Sequence, residues 1–129
     1  MKLFDAYLRD FDYDSRKEMK IQTGKMLELF VQGDAQIVDI RFPEEYKVWH
    51  LDGAINIPLN ELPDRLDELD RDKLIVTVCP HNDRANMGRL YLSLQGFHAR
   101  YLTDGLLSTM SQLRGDAAKA FADACKKEK

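Results

Sequence analysis

The sequence contains few of the residues that define several common protein classes. Its 129 residues include two cysteines, Cys79 and Cys125, which are too few and too far apart for a disulfide scaffold or a cysteine-rich zinc site. It also lacks a basic excess, since 19 Lys and Arg stand against 22 Asp and Glu and the formal net charge is -3. A general nucleic-acid-binding protein normally carries such an excess, so we expect no nucleic-acid partner.

Long apolar runs are missing as well. No run approaches the roughly 18 apolar residues of a membrane-spanning helix, so we expect no membrane partner. The first residues include acids and no uninterrupted apolar segment, which does not fit a secretory signal. We therefore expect a cytoplasmic protein, in a compartment where thiols stay reduced. The three histidines lack the spacing of metal ligands, so no metal site is expected.

What the sequence does contain is an alternation of short apolar runs with stretches of helical spacing, one of which covers residues 59–69. Strands that alternate with helices form βαβ units and a parallel sheet. The pattern predicts a single α/β domain, with a mostly parallel five-stranded sheet and helices on both faces. The candidate strands are residues 19–21, 36–40, 54–57, 74–78 and 98–102.

The first 18 residues precede this alternation. Their apolar residues recur at helical spacing, at Leu3, Phe4, Tyr7, Leu8 and Phe11. We expect one short amphipathic helix here, packed on the body of the protein. The predicted organisation is an N-terminal helical extension at residues 1–18 and a domain at residues 19–129 that ends in a C-terminal helix.

The candidate chemistry follows the most apolar strand, Leu74–Val78. In open α/β sheets the working site lies beyond the carboxyl ends of the strands, and Cys79 is at that position. The short loop to a helix that begins near Arg84 should direct backbone N–H groups inward and favour negative charge. We expect the Cys79 thiol to have a lowered pKa and Asn82 to adopt the left-handed conformation. A buried core cysteine is the alternative, which the polar residues 81–84 disfavour.

Four motifs in this sequence have the order and spacing of a family signature. Residues 37–46, IVDIRFPEEY, resemble D-[VI]-R-x-x-x-E-[YF]. Residues 50–58, HLDGAINIP, resemble G-H-[IL]-x-G-A-x-[NH]-[IV]-P from its histidine onward, with Trp49 in place of the first glycine. The loop of residues 79–84 resembles C-x-x-G-x-R, and residues 102–106 resemble L-x-G-G-[IWF]. Together these motifs resemble the rhodanese family of sulfurtransferases over residues 19–110.

The resemblance implies a rhodanese-like fold and sulfur transfer. Cys79 would attack a sulfane sulfur donor, become a persulfide, and pass the outer sulfur to cyanide or a thiol acceptor. The implied partners are a small-molecule sulfur donor and this acceptor, with a sulfur-relay protein as a further candidate. No cofactor is expected beyond the sulfur itself. The implied catalytic residues are Cys79 and Arg84, and the implied substrate-binding residues are Pro80, His81, Asn82 and Asp83.

Two further positions and two residues of the loop affect this interpretation. Asp39 and Arg41 lie at the carboxyl end of a strand, where an ion pair beneath the loop is favoured over substrate contact. Asn82 replaces the usual glycine of the loop. Asp83 adds a carboxylate that weakens the attraction for dianionic thiosulfate, so the donor stays open. Cys125 is expected to be an incidental thiol, exposed or half-packed.

Two alternative functions remain at this point. The first is a non-catalytic rhodanese-like module for binding or sulfur sensing. The second is a cysteine-based phosphatase, which is less favoured because only four residues separate Cys79 from Arg84. Those enzymes place five residues between the two positions.

Overall fold

Five parallel strands form the centre of the computed structural model, which describes residues 2–128. Their order in the sheet is β1-β5-β4-β2-β3, so β4 is central. The predicted five-stranded parallel sheet is therefore confirmed, and β4 has the predicted bounds. The strands are β1 (Lys20–Ile21), β2 (Ala35–Asp39), β3 (Ile55–Asn56), β4 (Leu74–Val78) and β5 (Ala99–Leu102).

The register of β2 and β4 brings their carboxyl ends together. The pairing runs from Ala35 opposite Leu74 to Asp39 opposite Val78. One residue further, the Ile40 N–H donates to the Val78 carbonyl at 3.2 Å. The residues that follow the two strands therefore emerge side by side at one edge of the sheet.

Helices cover both faces of this sheet. Core residues of α3, α6 and α7 pack on one face, and those of α5 pack on the other together with the segment between β3 and β4. None of the helices within residues 2–128 is long and apolar enough to cross a membrane. The helices are α1 (Lys2–Arg9), α2 (Tyr13–Glu18), α3 (Thr23–Val31), α4 (Pro43–Val48), α5 (Asp83–Leu94), α6 (Gly105–Gln112) and α7 (Gly115–Glu128).

The N-terminal segment differs from the prediction of one helix. It forms two, because Asp12 begins a new helix: its carboxylate accepts the Ser15 N–H at 2.9 Å, and the Ser15 hydroxyl oxygen accepts the Asp12 N–H at 3.3 Å. This reciprocal capping starts the second helix from Asp12, the third residue after the first helix ends at Arg9. Met1 and Lys129, the outer ends of the two predicted segments, lie outside the described residues.

The helix predicted over residues 59–69 is also different. The chain forms two 3₁₀ turns there, Leu59–Asp64 and Leu66–Glu68. Pro63 lies inside the first turn, where its missing N–H and its ring are incompatible with a continuing α-helix. The spacing of the leucines correctly indicated a helical turn but not its type.

Candidate active site

Cys79 lies at the point where β4 ends and the loop to α5 begins. Its side chain is fully buried. The Ala85 N–H, in the first turn of α5, donates to Cys79 Sγ at 3.3 Å. The Leu106 N–H of α6 donates to the Cys79 carbonyl at 2.9 Å. Two helix N-termini therefore fix this residue, one through its sulfur and one through its backbone.

The environment of the sulfur acts on its pKa in both directions. Burial raises the pKa of the Cys79 thiol above its ordinary value, and this is the largest influence. The backbone N–H groups of Ala85, His81 and Arg84 lower it, as the predicted inward-pointing loop would do. The net shift is upward, so the expected lowered pKa is wrong. The loop pattern indicated the N–H groups but not the depth at which the sulfur is enclosed.

Asp83 is the acidic residue nearest to this thiol. It is the first residue of α5 and is exposed to solvent. Its Oδ1 lies 4.0 Å from Cys79 Sγ, with the thiol donating to the carboxylate. The negative charge of Asp83 further raises the pKa of Cys79. The carboxylate therefore favours the protonated, neutral form of the thiol.

Arg84 is turned toward α4 instead of standing alone on the loop. Its guanidinium makes two parallel bonds to the Glu45 carboxylate, at 2.7 and 3.0 Å. The hydrogen bond from Arg84 is the main reason that the pKa of Glu45 is lowered. Sequence reasoning did not assign Glu45 a role in the site. The available signal was its position inside the motif of residues 37–46.

Asp39 and Arg41 form a buried ion pair at the carboxyl end of β2. Arg41 Nη2 donates to Asp39 Oδ2 at 2.7 Å, and both side chains are almost completely inaccessible to solvent. The same guanidinium donates to the Trp49 carbonyl at 2.9 Å and lies 4.5 Å from the centre of the Trp49 ring. All of these contacts are within the protein and not on its outer surface.

The rest of the loop is shaped by a residue outside it. Asn82 has φ −151° and does not adopt the predicted left-handed conformation. The positive φ, 79°, is at Gly105, where a Cβ would collide with the Pro80 carbonyl oxygen. Close packing of α6 on the loop thus requires glycine at this position. Its signal in the sequence was the motif of residues 102–106. Pro80 is half-buried, and His81 and Asn82 are exposed.

Cys125 is buried in α7, so the expectation of an exposed or half-packed thiol is wrong. Its sulfur donates to the Asp52 carbonyl at 3.4 Å. It packs with Phe30 and Phe121 in the core on one face of the sheet, whereas Cys79 belongs to the core on the other face. Neither cysteine forms a disulfide. The position of Cys125 in a predicted helix did not reveal that this face of the helix packs against α3.

A bound metal has no obvious place in this arrangement. Within residues 2–128, no three side chains of His, Cys, Asp or Glu come together as metal ligands would. The groups gathered at the loop are a thiol, backbone N–H donors, one carboxylate and one ion pair. Such a set suits a nucleophile that becomes anionic during reaction.

Two known proteins, a transcriptional regulator and a sulfurtransferase, are similar in sequence to part of this chain. A stretch of 77 residues is 40% identical to an HTH-type transcriptional regulator of Mycobacterium tuberculosis, covering 60% of this chain but only 34% of the regulator. The thiosulfate sulfurtransferase GlpE of Shewanella oneidensis is 31% identical over 85 residues, which is 66% of this chain and 84% of that protein.

The fold also resembles solved structures. The crystal structure of a rhodanese-related protein from Thermoplasma volcanium superposes with a TM-score of 0.65 and 26% identity, over 72% of this chain and 91% of that one. The family described as "Rhodanese-like domain" matches residues 23–111, which include the whole of the loop and both ion pairs. The resemblance predicted from the four motifs is confirmed. The chain belongs to the rhodanese-like domain family.

Proposed function

We propose that the protein is a sulfurtransferase in which Cys79 carries sulfur as a persulfide. The observation that carries the proposal is the position of Cys79 Sγ beneath the N-terminus of α5, where the Ala85 N–H donates to it. A helix N-terminus and inward N–H groups stabilise negative charge. The similarity to thiosulfate sulfurtransferases supports the same reaction class.

The proposed reaction has two steps. In the first, the Cys79 thiolate bonds to the outer sulfur of the donor, the bond from that sulfur to the rest of the donor breaks, and the remainder leaves with the electron pair. In the second, cyanide or an acceptor thiolate bonds to the same sulfur and releases the Cys79 thiolate. The N–H groups around Sγ stabilise the anionic persulfide between the two steps. No cofactor takes part, and a sulfur-relay protein could serve as the acceptor.

The remaining predicted residues have proposed roles around this sulfur. Arg84, tied to Glu45, holds the N-terminus of α5 against α4. The Asp39–Arg41 pair supports the loop from below. Pro80, His81, Asn82 and Asp83 meet the donor and the acceptor. Because Cys79 is fully buried, the residues that surround it must move before a donor can reach it. A reduced thiol suits the cytoplasm as the place of reaction.

A second candidate function follows from the same burial. The enclosed sulfur and its raised pKa favour a binding or sulfur-sensing module that does not turn over. A phosphatase is not favoured, because Arg84 is engaged by Glu45 and is not directed at a phosphoryl site. The two remaining functions differ in turnover and can be separated by one set of measurements.

The experiment incubates the reduced protein with thiosulfate or an organic persulfide and measures its intact mass. We expect a gain of one sulfur atom, which added cyanide removes as thiocyanate. The gain should disappear in Cys79→Ser and persist in Cys125→Ser, since Cys125 lies on the other face of the sheet. Failure of the wild-type protein to gain sulfur would contradict the proposal. Sulfur that is gained once but never transferred would support the sensing module.

A further inference from the structure

Negative charge exceeds positive charge among the side chains around Cys79. Arg84 is the cation of the loop, but its guanidinium makes its two hydrogen bonds to the Glu45 carboxylate and reaches Cys79 only through space. Asp83 faces the sulfur from the first turn of α5, at 4.0 Å, and no hydrogen bond other than the one from the thiol reaches its carboxylate among the described contacts. The Asp83 carboxylate is thus the charged group in direct contact with the sulfur, whereas the Arg84 charge is shared with Glu45.

Neighbouring elements do not reverse this balance. At the end of β2, Asp39 and Arg41 neutralise each other inside the protein. At the start of α6, the Asp104 carboxylate accepts the Thr23 N–H at 3.0 Å and adds no positive charge. The residues that a donor meets beside Cys79 therefore present a net negative charge.

We propose that Asp83 makes this site select sulfur donors that are neutral or positively charged near the transferred sulfur, and reject anionic donors such as thiosulfate. The proposal rests on sulfur transfer by Cys79 and names the substrate class of that reaction. The matching donor class is an organic persulfide that carries an amine close to its sulfurs. A like charge near a carboxylate is repelled, and an opposite charge is attracted.

The transfer from such a donor balances without an oxidant. The Cys79 thiolate bonds to the outer sulfur of R–S–SH, the S–S bond of the donor breaks, and R–S⁻ leaves with the electron pair. The product of this step is Cys79–S–SH, so the total charge and the number of protons are unchanged, and loss of its proton to solvent then gives the anionic persulfide. The ammonium group on the organic part of the donor, R, lies within reach of the Asp83 carboxylate during this exchange and offsets the charge of the carboxylate.

The first measurement compares kcat/KM for cysteamine persulfide with kcat/KM for thiosulfate. We expect the wild-type protein to favour the persulfide and Asp83→Asn to reduce this preference by about tenfold, because asparagine keeps the size of the side chain and removes its charge. Asp116→Asn is the matched control, since Asp116 is an exposed residue at the start of α7 and the net charge changes equally. Asp83→Glu should retain the preference.

The second measurement does not depend on sulfur transfer. Three methanethiosulfonate reagents with anionic, neutral and cationic tails react with Cys79, and peptide mass mapping distinguishes this modification from that of Cys125. The same thiolate attacks all three reagents, so a change in the pKa of Cys79 cancels from the ratio of cationic to anionic rates. We expect Asp83→Asn to lower this ratio about tenfold and Asp116→Asn to leave it unchanged.

The outcomes separate this proposal from the proposed function. If the ratio of cationic to anionic rates is the same in the wild-type protein and in Asp83→Asn, charge selection by Asp83 is overturned while sulfur transfer stands. The same holds if Asp83→Asn and Asp116→Asn lower this ratio equally. No reaction of Cys79 with any of the three reagents, and no gain of sulfur from either donor, would overturn both. A ratio that falls in Asp83→Asn and is kept in Asp83→Glu supports the proposal.

Discussion

The sulfur of Cys79 is subject to opposing influences, and their balance has a measurable pH dependence. Burial raises the pKa of the thiol, the N–H groups of Ala85 and His81 lower it, and Asp83 raises it again. We expect alkylation of Cys79 by iodoacetamide to accelerate with pH through a midpoint above that of an exposed cysteine, about 8.5. Asp83→Asn should move the midpoint downward because a like charge is removed. A midpoint below that of free cysteine in the wild-type protein would contradict this prediction.

The same shift affects stability, with a sign that follows from proton binding. The folded protein binds the Cys79 proton more tightly than the unfolded chain does, because the folded pKa is raised. The thiol therefore contributes its full stability below the unfolded pKa, and this contribution is lost as the pH rises toward the folded pKa. Urea unfolding at neutral and alkaline pH measures the loss, which should be absent in Cys79→Ser.

Disruption of the buried ion pair of Asp39 and Arg41 should strongly reduce the free energy of unfolding. Arg41→Met leaves the Asp39 carboxylate buried without its partner, so we expect a loss of about 3–5 kcal/mol in the free energy of unfolding. The double variant Asp39→Asn, Arg41→Met removes both charges and should lose less. Urea denaturation measures both, and a double variant less stable than Arg41→Met would show that the pair itself stabilises the fold.

At the scale of elements, the packing of α6 on the loop depends on Gly105. Both Gly105 and Gly33 have positive φ, 79° and 83°, but only at Gly105 would a Cβ collide with a neighbouring backbone. We expect Gly33→Ala to cost about 1 kcal/mol, which is the backbone term alone. Gly105→Ala should cost more and also change the rate at which Cys79 is alkylated, because Pro80 must shift. Equal costs with unchanged alkylation would contradict this account.

The elements also show which parts of the fold could be predicted from the sequence. The bounds of β4 were predictable because five consecutive apolar or β-branched residues leave a buried strand few alternatives. Because the end of β4 was predictable, the loop that follows β4 could also be placed at the edge of the sheet. By contrast, the pairing of Glu45 with Arg84 joins residues 39 positions apart, and no local pattern specifies such a contact. The burial of Cys79 and Cys125 likewise depends on how separate helices pack, which is a property of the assembled fold.

For the whole molecule, one sheet supports two separate cores. Phe121 of α7 packs against Phe30 of α3 on one face, with ring centres 4.9 Å apart, and Leu92 of α5 is fully buried on the other. Because both cores are attached to the same five strands, loss of either should unfold the other. We therefore expect a single cooperative transition, as small domains usually show.

This expectation can be tested with one probe on each face. Trp49 is the single tryptophan and packs against the core of α3 and α7, whereas protection of Cys79 from alkylation reports the opposite core. Phe121→Ala should cost about 3–5 kcal/mol and Leu92→Ala about 2–5 kcal/mol. In each variant, Trp49 fluorescence and exposure of Cys79 should change at the same urea concentration. If Phe121→Ala lost its Trp49 signal while Cys79 stayed protected, the two faces would be unfolding independently, and the shared sheet would not couple them.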